Sequence, residues 1–242
     1  MMRSSNPTLT GSAFRDAYGT AVRQDQTMTL DGTVNKTGIM LLLVVAGAAY
    51  SWSADSGFLM YFGMFGGLIA ALATVFRPHW SMYTAPAYAL LEGLFLGTVS
   101  AFFEGMYPGI VKLAVTLTFG VAFSVLMLYR SGIIKPTENF KLIVVGATGG
   151  IAVTYMITWI LGFFGITVGL IHGNGLFGIG FSLFVVAIAA LNLVMDFDFI
   201  EEAAERQAPK YMEWYGAFSL MVTLIWLYIE VLRLLAKLQS RD

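Results

Sequence analysis

Acidic side chains within apolar stretches are the residues of this sequence best placed for chemistry. Glu92 lies in the middle of the stretch ALLEGLFLG. An ionised carboxylate in the hydrocarbon of a bilayer is costly, so an acid within a membrane span is a functional hypothesis by default. Two interpretations of Glu92 stay open: a protonated, hydrogen-bonded packing residue, or a carboxylate that handles protons or cations.

The densest acidic cluster lies in LNLVMDFDFIEEAAE, which carries Asp196, Asp198, Glu201, Glu202 and Glu205. Residues two apart on a helix point to nearly opposite sides, so Asp196 and Asp198 cannot both face the interior of a helix bundle. Asp196 is predicted to point inward. Asp198 shares an i, i+4 stripe with Glu202 and Arg206, which is typical of a solvated helix extension.

Two arginines are candidate partners of these acids. Arg77 ends the second apolar stretch at the same membrane surface where Asp196 ends the sixth, so an ion pair between them is geometrically feasible. Arg233 follows Glu230 by three residues, which predicts an ion pair within one helix at the opposite surface.

Signature motifs of hydrolytic and nucleotide-dependent enzymes do not occur in the sequence. It contains no GxSxG, no HExxH and no GxxxxGK[ST]. The chain has no cysteine and only two histidines, which is too few for a thiolate site or a conventional histidine metal cluster. The sequence therefore predicts a protein that is not an enzyme and has no resident cofactor.

Composition places most of the chain in a lipid bilayer. Of 242 residues, 57% are hydrophobic and 12% are charged, and the mean hydropathy is +0.74. A soluble domain needs more polar surface than this. The formal net charge of -1 gives no basic field to hold nucleic acid, which is excluded as a main partner.

Seven continuous apolar stretches are long enough to cross the bilayer, which takes about 20 residues each. They cover residues 34–53, 57–76, 83–103, 108–129, 141–164, 175–200 and 213–236. Only helices or a closed barrel satisfy the backbone in lipid. The sequence therefore predicts an all-α bundle of seven transmembrane helices over residues 34–236, between a polar N-terminal segment, 1–33, and a short tail, 237–242.

Glycine spacing predicts how some of these helices pack. Three pairs have the small-xxx-small spacing that lets helix backbones approach closely: Gly63 with Gly67, Gly93 with Gly97, and Gly146 with Gly150. We expect such pairs to serve packing within the bundle rather than dimerisation. The last helix is predicted to lie centrally, because the stretch from Ala217 to Ile229 carries no charge and mixes small with bulky residues.

Basic residues indicate the orientation in the membrane. The loops on the side of the N-terminus carry Lys36, Arg77, Arg130, Lys135, Lys141, Arg206 and Lys210, whereas the alternate loops carry no lysine or arginine. The positive-inside rule then predicts a cytoplasmic N-terminus. Arg233, Lys237 and Arg241 disagree, because seven spans place them outside. We expect the last helix to cross fully, with these side chains snorkelling to the surface.

The chain resembles the Bax inhibitor-1/YccA family of seven-helix membrane proteins, in a bacterial branch. The resemblance covers roughly residues 34–236 and depends on the helix count and on three segments in order: EGLFLG at 92–97, VMDFDFIEE at 194–202 and AFSLMVTLIWLYIEVLR at 217–233. It implies location in the bacterial inner membrane.

The family resemblance also implies a function, a pH-sensitive calcium leak channel. In that family a carboxylate at the end of the sixth helix and another in the seventh share a proton and an arginine latch. Asp196 matches the first carboxylate and Arg77 the arginine, whereas Thr223 stands where the second carboxylate is expected. An acid that some members carry in the second helix falls at Met64. Both departures weaken the expectation of a paired-carboxylate sensor, for which Glu92 or Asp198 is a candidate substitute.

Two functions from different classes follow from these observations. The first is a cation channel gated by a buried carboxylate, with Asp196, Glu92, Asp198 and Arg77 along the ion pathway or the pH sensor. Calcium is the favoured ion, transported rather than held as a cofactor, because it binds carboxylate and carbonyl oxygens; Asp196 and Glu92 are its candidate ligands. The second is a non-transporting protein that modulates a membrane protease or the stress and cell-death machinery, with residues 1–33 as its contact element.

Overall fold

The computed structural model describes residues 27–54, 56–165, 173 and 175–240. Within them the chain forms seven long helices: α1 (Leu30–Ala54), α2 (Gly57–Phe76), α3 (Ser81–Met106), α4 (Ile110–Arg130), α5 (Glu138–Phe163), α6 (Leu176–Glu205) and α7 (Met212–Gln239). Each helix is long and apolar enough to cross a membrane. The predicted all-α fold with seven spans is confirmed.

Turn residues end the helices close to the predicted breaks. Arg77 ends α2 and is followed by the short 3-10 helix Pro78–Trp80. Gly109 begins α4 with φ of 89°, a left-handed conformation that glycine adopts without steric strain. Thr137 caps α5, because its side chain accepts a hydrogen bond from the Phe140 amide. The first helix begins at Leu30, before the predicted start of the span.

Successive spans alternate in direction, which defines two sides of the bundle. We call the side where α1 begins the near side, and the side where α1 ends the far side. By this alternation α6 runs from the far side to the near side, and α7 runs back. With 28 residues α7 is long enough to cross fully, as predicted.

The last helix lies at the centre of the bundle. α7 packs against α1, α3, α4 and α6, whereas α5 packs mainly against α6. Half of the most apolar window of α7 is buried, the largest share among the seven helices of the described structure. The predicted central position of the last helix is confirmed.

Glycines bring the backbones of the first three helices into contact. A Cβ on Gly63 would lie 2.5 Å from the Leu91 carbonyl oxygen, and one on Gly47 would lie 2.6 Å from the carbonyl oxygen of Leu90. Gly93 and Gly97 meet the α1 backbone in the same way. These glycines pack within the bundle, as predicted.

The prediction was wrong for one glycine pair. A Cβ on Gly146 or Gly150 would meet nothing within 4 Å, so this face of α5 has no helix against it in the described structure. The reason is topological: α5 lies at the edge of the bundle and buries a different stripe, which contains Val144 and Ile151, against α6.

Candidate functional site

Asp196 lies in the interface between α6 and α7, with 8% of the residue exposed. The Ser219 hydroxyl of α7 donates a hydrogen bond of 2.5 Å to Oδ1 of Asp196. The other carboxyl oxygen, Oδ2, is buried and has no hydrogen-bond partner in the described structure. The Thr223 hydroxyl, one turn further along α7, lies beside the same carboxyl group. The interface thus holds a buried acid with one acceptor atom unsatisfied.

The ion pair between Arg77 and Asp196 does not form in the described structure. The Arg77 guanidinium instead lies over the Trp80 ring, 6.0 Å from its centre. Helix packing gives the reason, because α2 packs against α3 and makes almost no direct contact with α6. Arg77 and Asp196 therefore belong to different parts of the bundle.

Polar residues follow one stripe of α7. Ser219, Thr223, Glu230 and Lys237 are spaced four, seven and seven residues apart, which places them on the same face of the helix. Ser219 meets Asp196 in the near-side half of α6. Lys237 meets the far-side end of α6, where its ammonium donates to the Gly178 carbonyl at 3.0 Å and to the Ser182 hydroxyl at 2.9 Å.

Glu230 lies on this stripe with 1% of the residue exposed. Its carboxylate accepts hydrogen bonds from the Tyr155 hydroxyl of α5 at 3.0 and 3.1 Å and from Arg233 at 2.8 Å. Arg233 also donates to the Tyr155 oxygen at 3.0 Å. The predicted ion pair within α7 is confirmed, and Tyr155 extends it to a second helix.

The far-side basic residues of α7 thus have partners within the protein. Arg233 is bound by Glu230, and Lys237 by the start of α6. Acceptors within the bundle lower the cost of these cations near a membrane span, so they do not oppose the expected full crossing of the last helix. Arg241 lies outside the described residues.

Apolar side chains separate the two polar levels of the α6–α7 interface. Val185, Ala189 and Leu193 of α6 are fully buried between the level of Ser182 and that of Asp196. Seven residues of helix, from Thr223 to Glu230, correspond to about 10 Å along the axis. The interface is therefore closed by hydrocarbon between its polar ends.

Glu92 has surroundings of a different kind. Its carboxyl group rests on Gly67 of α2, where an added Cβ would lie 2.7 Å from Oε1. Glu92 is partly exposed and faces the interface of α2 and α3, not that of α6 and α7. It shares no ion site with Asp196, because α3 and α6 make almost no direct contact. No group of three or more acidic, histidine or cysteine side chains suited to a metal occurs in the described part of the chain.

Asp198 turns away from the Asp196 site, as the spacing predicted. It forms an ion pair of 2.8 Å with Lys141 of α5. The next acid on its stripe, Glu202, pairs with Arg206. Both pairs lie at the near-side end of α6 and are at least partly exposed, which fits the predicted solvated extension of the helix.

One buried carboxylate was missed by the sequence analysis. Glu213, in the first turn of α7, is 0% exposed and forms ion pairs with Lys36 of α1 and with Lys210. The Thr29 amide and hydroxyl also donate to it, at 2.9 and 2.8 Å. An added Cβ on Gly32 would collide with this carboxylate. The only sequence signal was the i, i+3 spacing of Lys210 and Glu213.

A cavity of about 750 Å³ opens at the near side between α1, α4 and α6. Charged residues are part of its lining, among them Asp31, Arg130 and Lys135. Its wall includes Phe197 and Leu220, the sequence neighbours of Asp196 and Ser219. The cavity therefore reaches the level of the buried acid from one side of the membrane.

Comparison with known proteins supplies one match. A family model described as Bax inhibitor 1 like matches residues 6–240, which is nearly the whole chain. No curated protein matches the sequence.

Proposed function

Because the chain belongs to the Bax inhibitor 1 like family, we propose that this membrane protein conducts cations, calcium above all, along the interface of α6 and α7. Conduction is sensitive to pH through the protonation of Asp196. The protein acts without catalysis and without a resident cofactor.

The unsatisfied oxygen of Asp196 is the observation that carries this proposal. Buried polar atoms in folded proteins are nearly always hydrogen-bonded, so an acceptor left without a donor calls for an explanation. A binding site for a transported cation or a proton explains it, because such an acceptor has no partner while the site is empty. Calcium takes oxygen ligands in variable geometry, and the Ser219 and Thr223 hydroxyls add two beside the carboxylate.

The proposed path has three parts. Ions enter the near-side cavity, pass the level of Asp196, and leave past the polar level of Glu230 on the far side. The apolar section around Ala189 closes the path in this structure, so conduction requires α6 and α7 to move apart there. Glu92 lies off this path and keeps the role of a packing carboxylate between α2 and α3.

We assign the near side to the cytoplasm of a bacterial inner membrane. The described near-side turns and helix ends carry seven basic residues, Lys36, Arg77, Arg130, Lys135, Lys141, Arg206 and Lys210. Arg233 and Lys237 on the far side are bound within the bundle and weigh little in the charge balance, which leaves Lys112 as the exposed far-side cation of the described residues.

Calcium flux into liposomes tests the proposal directly. Purified protein is reconstituted with a calcium dye inside the vesicles, and flux is compared between about pH 6 and about pH 8. Wild-type flux should differ between these conditions. Asp196→Asn keeps the shape of the side chain and removes its charge, so its flux should no longer respond to pH.

Asp198→Asn is the matched control, because the same substitution two residues away removes a charge outside the proposed path. It should keep the wild-type response. A wild-type response in Asp196→Asn, or an equal loss in Asp198→Asn, would contradict the assignment of the sensor to Asp196.

A contact role for the N-terminal segment is the second candidate function. Thr27 pairs with Pro209, and the Met28 amide donates to the Ala208 carbonyl at 2.7 Å, so the segment is tied to the loop between α6 and α7. Deleting residues 1–26 preserves these bonds. Loss of binding to a membrane protein partner with intact flux would support this added role, and unchanged behaviour in both assays would argue against it.

A further inference from the structure

A groove of about 500 Å³ lies between α1 and α4 in the far-side half of the bundle. These two helices form its walls and make almost no direct contact with each other. α3 and α7 form its floor. The groove is separate from the proposed ion path, because it lies on the opposite face of α7.

The lining of the groove is almost entirely apolar. Hydrocarbon side chains such as Leu41, Val45 and Leu224 make up most of it. The Ser100 and Tyr228 hydroxyls in the floor bond to each other at 2.7 Å. Water gains little in such a space, because it needs two to four polar partners to be held.

The dimensions of the groove match one leaflet of a bilayer. Along α1 it extends from Leu41 to Trp52, which at about 1.5 Å per residue is about 16 Å. One leaflet contributes about half of a hydrocarbon core of about 30 Å. The groove thus runs from the middle of the membrane to its far surface.

The mouth of the groove faces the membrane and ends at residues suited to its surface. Val45 and Val115 on the two walls are 62% and 40% exposed. Trp52 lies two residues before the end of α1, where aromatic rings favour the headgroup level. Lys112, in the first turn of α4 next to the lining residue Val111, is exposed at the same level.

We propose that this groove binds one acyl chain of a phospholipid from the far-side leaflet, with the lipid phosphate at Lys112. An apolar groove of leaflet length is too apolar to hold water and too long for a single protein side chain to fill. The cation at its outer end complements a phosphate. The bound chain lies against Met221 and Leu224 of α7.

Photolabelling tests the inference when labels are located to single residues, because Leu224 and Tyr228 of α7 line the groove, whereas Val222 is exposed outside it. The full chain is reconstituted in vesicles containing a phospholipid with a diazirine on its acyl chain, and labelled residues are identified by mass spectrometry. Leu224 and Tyr228 should be labelled, and Val222 serves as the internal reference for labelling by bulk lipid. Ala49→Trp, which fills the groove from α1, should reduce the labelling of Leu224 and Tyr228 at least about fivefold, and Lys112→Gln about twofold.

Ala46→Trp is the matched control, since Ala46 is exposed on α1 but does not line the groove. It should leave the labelling unchanged. Val115→Trp fills the groove from the other wall, so it tests the same effect independently if Ala49→Trp fails to fold. The inference is overturned if Leu224 and Tyr228 are not labelled, if neither groove-filling variant reduces their labelling, or if only a free fatty acid probe labels them. None of these results depends on calcium flux, so they leave the proposed ion path untouched.

Discussion

Two buried carboxylates at the near-side half of the bundle have opposite surroundings. Glu213 accepts from two lysines and from both the amide and the hydroxyl of Thr29. Asp196 accepts from Ser219, and its second oxygen has no donor in the described structure. A buried charge is stable when it is paired and hydrogen-bonded, and costly when it is not.

The difference separates a structural acid from a functional one. Glu213 joins the start of α1 to the start of α7, so its partners serve the fold. Asp196 has no cationic partner and one oxygen without a donor in the described structure, which keeps an acceptor available for a ligand or a proton. Glu230, which binds Tyr155 and Arg233, resembles Glu213 in this respect. The more partners the carboxylate has, the more its loss should destabilise the protein. We therefore expect the largest effect at the Glu213 site, an intermediate one at the Glu230 site and the smallest at Asp196.

Glu213→Gln should have the largest effect on stability. It leaves Lys36 and Lys210 without their carboxylate, and a hydrogen bond to a charged group contributes about 1.5 to 3 kcal/mol. We expect the free energy of unfolding to fall by about 2 to 4 kcal/mol, because two lysines and one threonine are affected. Unfolding of the purified protein by a denaturing detergent measures this loss. Glu138→Gln is the control, since Glu138 is 89% exposed and its lysine pair is 3.9 Å long.

Tyr155→Phe should have an intermediate effect. It removes one hydroxyl that bonds both Glu230 and Arg233, and leaves their direct pair in place. The expected loss is about 1 to 2 kcal/mol in the same unfolding assay. Tyr61→Phe on α2 serves as the control, because Tyr61 is 56% exposed. If both variants unfold alike, the hydroxyl of Tyr155 does not hold α5 to α7.

Most of the fold was predictable from the sequence. Long apolar stretches predicted the seven helices, and the charged and turn residues between them predicted the helix boundaries to within a few residues. The central place of α7 followed from its uncharged stretch. The packing of Gly63 and Gly93 followed from spacing, but that of Gly146 did not, because spacing does not tell which helix lies at the edge of the bundle.

The candidate site was predictable only in part. Helix periodicity placed Asp196 inward and Asp198 outward. The partner of Asp196 was not foreseen, because the choice between Arg77 and Ser219 depends on which helices are neighbours. The Glu213 cluster was missed for the same reason, since Lys36 is 177 residues away in sequence. A single sequence carries little information about such distant pairs.

Asp196→Asn should have the smallest effect on stability, and this sharpens the contrast with Glu213. The carbamoyl oxygen of asparagine can still accept from Ser219, and the amide nitrogen takes the place of an oxygen that had no donor. The free energy of unfolding should change by no more than about 1 kcal/mol. Ser219→Ala is the companion variant, because it removes the hydroxyl that donates to Oδ1 of Asp196 and leaves the carboxyl group in place. It should destabilise the protein more than Asp196→Asn does. If Asp196→Asn instead destabilises the protein as much as Glu213→Gln, the charge of Asp196 is bound within the fold. A carboxylate held in that way is a structural element, and its loss would alter flux by disturbing the bundle rather than by removing a sensor.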